Sequence, residues 1–109
     1  MIVQGSNEPI IFKFDDINDV PEDDIHVTLK NEITILKQWG MGDLDINLNP
    51  NVMEIKAPIT QEESMTWEEG PCWIELKYLD HWNNTIFSRV KTDIIPWTDQ
   101  HVLEESSET

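Results

Sequence analysis

The stretch Cys72-Trp73-Ile74-Glu75-Leu76-Lys77-Tyr78-Leu79, followed by Asp80-His81-Trp82-Asn83-Asn84 and then by Thr85–Ile95, decides the fold. Its first part alternates Ile74, Leu76 and Tyr78 with Trp73, Glu75 and Lys77, the period of a strand with two unlike faces. Asn83 and Asn84 tolerate left-handed backbone, so the interruption at 80–84 reads as a turn and the whole as a β-hairpin. The same pattern recurs at Val52–Ala57, Pro9–Phe14 and Asp24–Asn31. Alternating runs punctuated every 8–12 residues or so identify an all-β chain, a small antiparallel sandwich or barrel.

Working outward, Ile10, Phe12 and Phe14 share one face, and Ile25, Val27 and Leu29 alternate with His26, Thr28 and Lys30. Asn31-Glu32 then separates this strand from a run at Ile33–Trp39, a spacing that allows a two-residue hairpin although the pair lacks the favoured Gly. Gly40-Met41-Gly42 breaks the chain. Leu44, Ile46 and Leu48 alternate again, Asn49-Pro50-Asn51 turns, and Met53, Ile55 and Ala57 return. Thr60-Gln61-Glu62-Glu63 has the form of a capping box with acid in the first turn. One short helical crossover is expected from Gln61 to about Thr66, ended before Gly70-Pro71, carrying the chain from one sheet to the other.

At 109 residues and 39% hydrophobic content, the chain supports one core. Residues 1–98 are expected to form a single sandwich domain, with 99–109 an acidic, flexible tail. The single Cys72 excludes an intramolecular disulfide and reads as a small buried hydrophobe. Met1–Gly5 lacks the basic and apolar regions of a signal peptide, and no apolar stretch approaches a membrane span, so a soluble protein made in the cytoplasm is expected. The net charge of −15 opposes the phosphates of nucleic acids and the anionic surface of membranes, and neither is an expected partner. The acid crowds into Asp15, Asp16, Asp19, Glu22, Asp23 and Asp24, and again into Glu104, Glu105 and Glu108.

No arrangement of residues carries catalysis. His26, His81 and His101 fall on a strand, a turn and the tail, without the ligand spacing of a zinc site. Asp16, Asn18 and Val20 alternate, but their loop lacks the Gly and terminal Glu of a calcium-binding EF-hand. The pairs Glu62/Glu63 and Glu68/Glu69 are adjacent acids on turns, whereas glycoside hydrolysis needs carboxylates facing each other across a cleft. Ser64 and Ser88 have no identifiable base, and Asn83-Asn84-Thr85 reads as a turn rather than a glycosylation site. No catalytic residue, metal ligand or cofactor is expected, and the chain reads as a non-enzyme.

The tryptophans are more informative. Trp73 stands out of phase with the apolar residues of its strand, while Trp67, Trp82 and Trp97 fall near ends or turns. Trp is enriched at interface hot spots and on carbohydrate platforms because it combines a large flat surface with one N–H donor. Trp73, Trp82 and Trp97 are the candidate interface residues. In the competing reading, Trp39 and Trp67 are core and the other indoles cap the ends of the sandwich.

Gln4-Gly5-Ser6 leading into an alternating strand, Asp24–Leu29, Ala57-Pro58-Ile59-Thr60-Gln61-Glu62-Glu63, and Gly70 before Ile74-Glu75-Leu76-Lys77 and a final hairpin together resemble the small proteins of tailed-phage structural modules. The similarity is to the immunoglobulin-like N-terminal domain of baseplate upper proteins from phages and prophages of Gram-positive bacteria, over roughly Gln4 to Ile95. It implies an immunoglobulin-like antiparallel β-sandwich and no catalytic residue. It also implies a non-enzymatic adaptor of a phage or prophage tail or baseplate, a virion component docking to other phage structural proteins or to itself. The sequence ends at Thr109, without the coiled coil and receptor-facing region of longer family members, which favours an adaptor over a receptor binder. On this expectation an aromatic patch provides affinity and the acidic surface selects a basic partner. The alternative is a carbohydrate-binding module with exposed Trp stacking on sugar rings.

Overall fold

The computed structural model describes residues 1–15, 21, 23–49 and 52–96. Eight strands are described: β1 (Ile2–Val3), β2 (Ile10–Phe14), β3 (Asp23–Lys30), β4 (Ile35–Trp39), β5 (Asp45–Asn49), β6 (Val52–Ala57), β7 (Gly70–Leu79) and β8 (Thr85–Ile95). Between β6 and β7 lies one short helix, α1 (Gln61–Met65), and between β4 and β5 a single 3-10 turn at Met41–Asp43. Only 9% of the described residues are helical, far below the third or so of an average globular protein, as the alternating runs require.

The strands form a five-stranded sheet in the order β1-β8-β7-β3-β4 and a three-stranded sheet in the order β2-β6-β5. Hairpins join β3 to β4, β5 to β6 and β7 to β8, while the other connections cross between sheets. This is the order of an immunoglobulin-like sandwich, with β8-β7-β3-β4 and β2-β6-β5 as its two layers. All pairings are antiparallel except that β1 runs parallel to β8, with Ile2 opposite Ile94. Two residues are too short to register as a periodic run, and the sequence pattern missed β1. Its exit is a tight turn closed by Ser6 N–H donating to the Val3 carbonyl at 3.0 Å, with Gly5 at φ +81°, a conformation most side chains resist.

The core fills the gap between the layers. Ile25, Val27 and Leu29 of β3, Trp39 of β4, Cys72, Leu76 and Tyr78 of β7, and Met53, Ile55 and Ala57 of β6 are all buried. Each is on the phase that alternation assigns to the inner face, and burying a large aliphatic side chain stabilises the fold by roughly 1.5–3 kcal/mol. Phe14 meets Tyr78 edge to face across the layers, with ring centroids 5.8 Å apart. No strand lies beyond β2 among the described residues, so β8 reaches past the smaller sheet and its inward Val90 is 55% exposed.

The crossover follows its sequence signal. The Thr60 hydroxyl accepts from Glu63 N–H at 3.2 Å, and Glu63 Oε1 accepts from Thr60 N–H at 2.7 Å, closing the capping box. The β3–β4 connection departs from expectation. The strand begins at Ile35 rather than Ile33, and the turn is not the two residues Asn31-Glu32 but 31–34. Asn31 Oδ1 accepts from both Ile33 N–H (2.9 Å) and Thr34 N–H (2.7 Å), a side-chain-built turn that uses up the start of the apolar run. Ile33 is left 92% exposed at its tip. Trp67, at the end of the crossover, is buried in the core cluster with Ile59 and Trp39, in line with the reading of Trp39 and Trp67 as core residues.

Candidate functional site

The β7–β8 hairpin fixes the site's register. Asp80 Oδ1 accepts from Trp82 N–H (2.9 Å) and Asn84 N–H (2.8 Å), and Asn83 adopts φ +62°, which pairs Leu79 with Thr85. Carried along the strands, this register sets Lys77 opposite Phe87, Glu75 opposite Arg89 and Trp73 opposite Lys91. On the other side of β7, Lys30 lies opposite Trp73, Thr28 opposite Glu75 and His26 opposite Lys77. All of these side chains are on the outer face of the five-stranded sheet, since their neighbours Cys72, Leu76, Val27 and Leu29 point into the core.

Trp73 is the centre of this face. The Arg89 guanidinium carbon sits 5.0 Å from the indole centroid and Lys91 Nζ 5.9 Å from it, two cation–π contacts. Below them Glu75, 14% exposed, receives both Lys30 Nζ at 3.1 Å and Arg89 Nε at 3.6 Å on the same carboxylate oxygen. Two shallow depressions flank the cluster. One, of about 400 Å³, runs from Trp73 and Arg89 to the exposed Ile33 at the β3–β4 turn. The other, of about 540 Å³, lies between His26, Gln38, Lys77 and Phe87. Both are open; the first is walled on one side by the β3–β4 turn at 31–34, and the second takes in Gly40 and the carboxylates of Asp43 and Glu75.

Charge is distributed in a way that the net value hides. Of the seven Lys and Arg residues, Lys30, Lys77, Arg89 and Lys91 are all on this one face. Acid gathers at the ends of the strands: Asp23 and Asp24 at the start of β3 with Asp80 in the β7–β8 turn at one end of the sandwich, and Glu32, Glu68 and Glu69 in connections at the other. Around Trp73, three cations, Lys30, Arg89 and Lys91, therefore gather with Glu75 between them and Glu32 at the edge.

Of the candidate interface residues, Trp73 is half-buried under its cations, and Trp82 is 63% exposed at the hairpin tip with His81 edge-on at 5.2 Å. They stand at different places along the hairpin and do not form one patch. Trp97 lies outside the described residues, as do His101, the tail 99–109, and Asp16, Asn18, Asp19, Val20 and Glu22 of the acidic connection. The described end of that connection is a bulge, in which Asp24 takes φ +52° and its Oδ1 meets His26 Nε2 at 2.8 Å. No group of three or more metal-ligating side chains occurs among the described residues.

The other groups considered from sequence have structural roles. Cys72 is fully buried, and burial pushes its thiol pKa up, away from reactivity. Ser64 is also fully buried; its hydroxyl donates to the Ser6 carbonyl at 2.8 Å, pinning α1 to the turn after β1. Burial alone would raise the Glu63 pKa, but its hydrogen bonds from Lys37 and from Thr60 N–H hold it below the usual carboxylate value. Glu62, Glu68 and Glu69 are exposed. Arg89, Lys91 and Lys30 were the residues that sequence reasoning overlooked around Trp73. The signal was present, because a turn at Asp80–Asn84 already implies that Trp73 faces Lys91.

Comparison of the chain with family models, curated proteins and solved structures finds no match.

Proposed function

We propose that this chain is a non-enzymatic structural adaptor that works by protein–protein docking, as a virion component of a phage or prophage tail or baseplate made in the bacterial cytoplasm. The observation carrying the docking part is the outer face of the five-stranded sheet, where Trp73 lies in a cation cluster beside the exposed Ile33, Ile35 and Phe87. A half-buried Trp with Arg stacked on it is the composition of an interface hot spot, and small monomers seldom leave such apolar surface uncovered. The phage context is supported by the resemblance of Gln4–Ile95 to the baseplate domain. Its partners in this reading are other structural proteins of the particle, or further copies of itself.

Carbohydrate binding is the second reading, favoured by the open indole of Trp82 at the hairpin tip. Trp73 suits sugars less well, since Arg89 and Lys91 already occupy the approach to its ring. The two readings separate by substitution. Co-expression with the proteins of neighbouring genes should yield a complex that Trp73→Ala weakens by at least about 30-fold, the effect of a typical hot-spot residue. Trp82→Ala should leave it intact. A polysaccharide array that quenches tryptophan fluorescence in the parent chain but not in Trp82→Ala would overturn docking in favour of sugar binding.

A further inference from the structure

We propose that the Trp73 face binds an extended acidic segment of a partner polypeptide, with carboxylates at alternate positions engaging Arg89 and Lys91. The inference rests on the docking reading above and specifies the partner's chemistry. It also reverses the sign suggested by the chain's total charge. The strands of this face carry Lys30, Lys77, Arg89 and Lys91 against Glu75 and Asp93, with Glu32 and Asp43 at the rims of its two depressions, and three of the four cations, Lys30, Arg89 and Lys91, gather at Trp73 on a chain of net charge −15.

The geometry favours a strand-like acidic ligand. Arg89 and Lys91 are two residues apart on β8, so their Cα atoms stand about 6.8 Å apart, the same spacing as alternate side chains of an extended peptide. The Arg89 side chain is held in place from two sides, by Trp73 beneath its guanidinium and by Glu75 on Nε. That leaves the terminal N–H groups as a preorganised fork of the kind that takes carboxylate in a bidentate pair. Glu75 does not cancel this, because its carboxylate is low in the sheet and shared by two cations.

Charge also discriminates among occupants. A nucleic acid strand carries a phosphate every 3.4 Å or so and would run past the face toward Asp23, Asp24 and Asp80 or toward Glu32, Glu68 and Glu69. A second copy would bring a whole body of charge −15 against another of −15. A short acidic segment can lie along Arg89 and Lys91 without reaching either acidic end.

The test is a titration of the full ¹⁵N-labelled chain with a blocked peptide of alternating Glu and Ser, alongside its Lys-for-Glu counterpart and oligothymidylate. Saturable shifts are expected at the Trp73 indole N–H and at the amides of Lys30, Arg89 and Lys91. The double variant Arg89→Glu/Lys91→Glu should lose at least tenfold in affinity for the Glu peptide and gain affinity for the Lys peptide. The reciprocal gain shows that the variant is folded. Absence of these shifts, unchanged Glu-peptide affinity in the double variant, tighter binding of oligothymidylate, or self-association through this face would each overturn the proposal. If the Glu peptide fails while Trp73→Ala still abolishes complex formation, the acidic-partner inference falls and docking stands. If Trp73→Ala leaves the complex intact, the docking reading itself falls.

Discussion

Replacing Trp39 by Phe should destabilise the domain by about 2–3 kcal/mol, although the edge strand that carries it stays in place. Trp39 is fully buried, and its Nε1–H donates to the Pro58 carbonyl at 2.8 Å, tying β4 to the start of the crossover. Phe keeps an aromatic ring under Lys37 Nζ, which lies 5.3 Å from the indole centroid, so that contact is largely retained. What is lost is the hydrogen bond, worth about 1 kcal/mol net, and roughly two buried carbons at about 0.8 kcal/mol each. For a domain of this size each kcal/mol lowers the melting temperature by about 4–8 °C, so a fall on the order of 10 °C or more is expected. Urea unfolding followed by far-UV circular dichroism measures the difference directly. A loss below about 0.5 kcal/mol, the range of ordinary surface substitutions, would refute the reasoning that Trp39 joins the edge of the larger sheet to the crossover.

Thr60→Ala removes the acceptor for Glu63 N–H and should cost about 1 kcal/mol in the same assay. Glu63 is held below the usual carboxylate range when folded, so its contribution is complete at neutral pH and is lost as pH falls through that range. Acid titration of stability should show this as a decline below about pH 4.5, and Glu63→Gln should flatten that part of the curve. Cys72 is fully buried with a raised pKa, so a thiol reagent in excess should modify it only at the rate of unfolding, and fast labelling of the native protein would contradict its burial.

Much of the sandwich was legible because burial and alternation are the same fact seen twice. Ile25, Val27 and Leu29 are buried for the reason that they alternate. The capping box and the final hairpin were equally readable, since Thr60, Glu63 and Asn83 act within a few residues of themselves. Features built from distant or very short segments were not. The two residues of β1 gain their role only from the parallel partner β8, and the exposure of Ile33 follows from Asn31 turning its side chain onto its own backbone. At the site, the net charge of −15 concealed the cations gathered at Trp73. Composition sums over the chain, whereas a sheet sorts alternate residues to opposite sides and gathers Lys30, Arg89 and Lys91 from strands far apart in sequence.

Lysine-acetylation footprinting asks whether the outer face of the five-stranded sheet is covered when the proposed complex forms. Lys30, Lys77 and Lys91 are on that face, while Lys13 and Lys56 are on strands of the three-stranded sheet on the opposite side. Labelling of the free chain and of the complex with its neighbouring structural protein is compared by mass spectrometry. Protection of Lys30 and Lys91 in the complex is expected, with Lys13 and Lys56 modified as fast as in the free chain. Protection of Lys13 and Lys56 with Lys30 and Lys91 still reactive would contradict it.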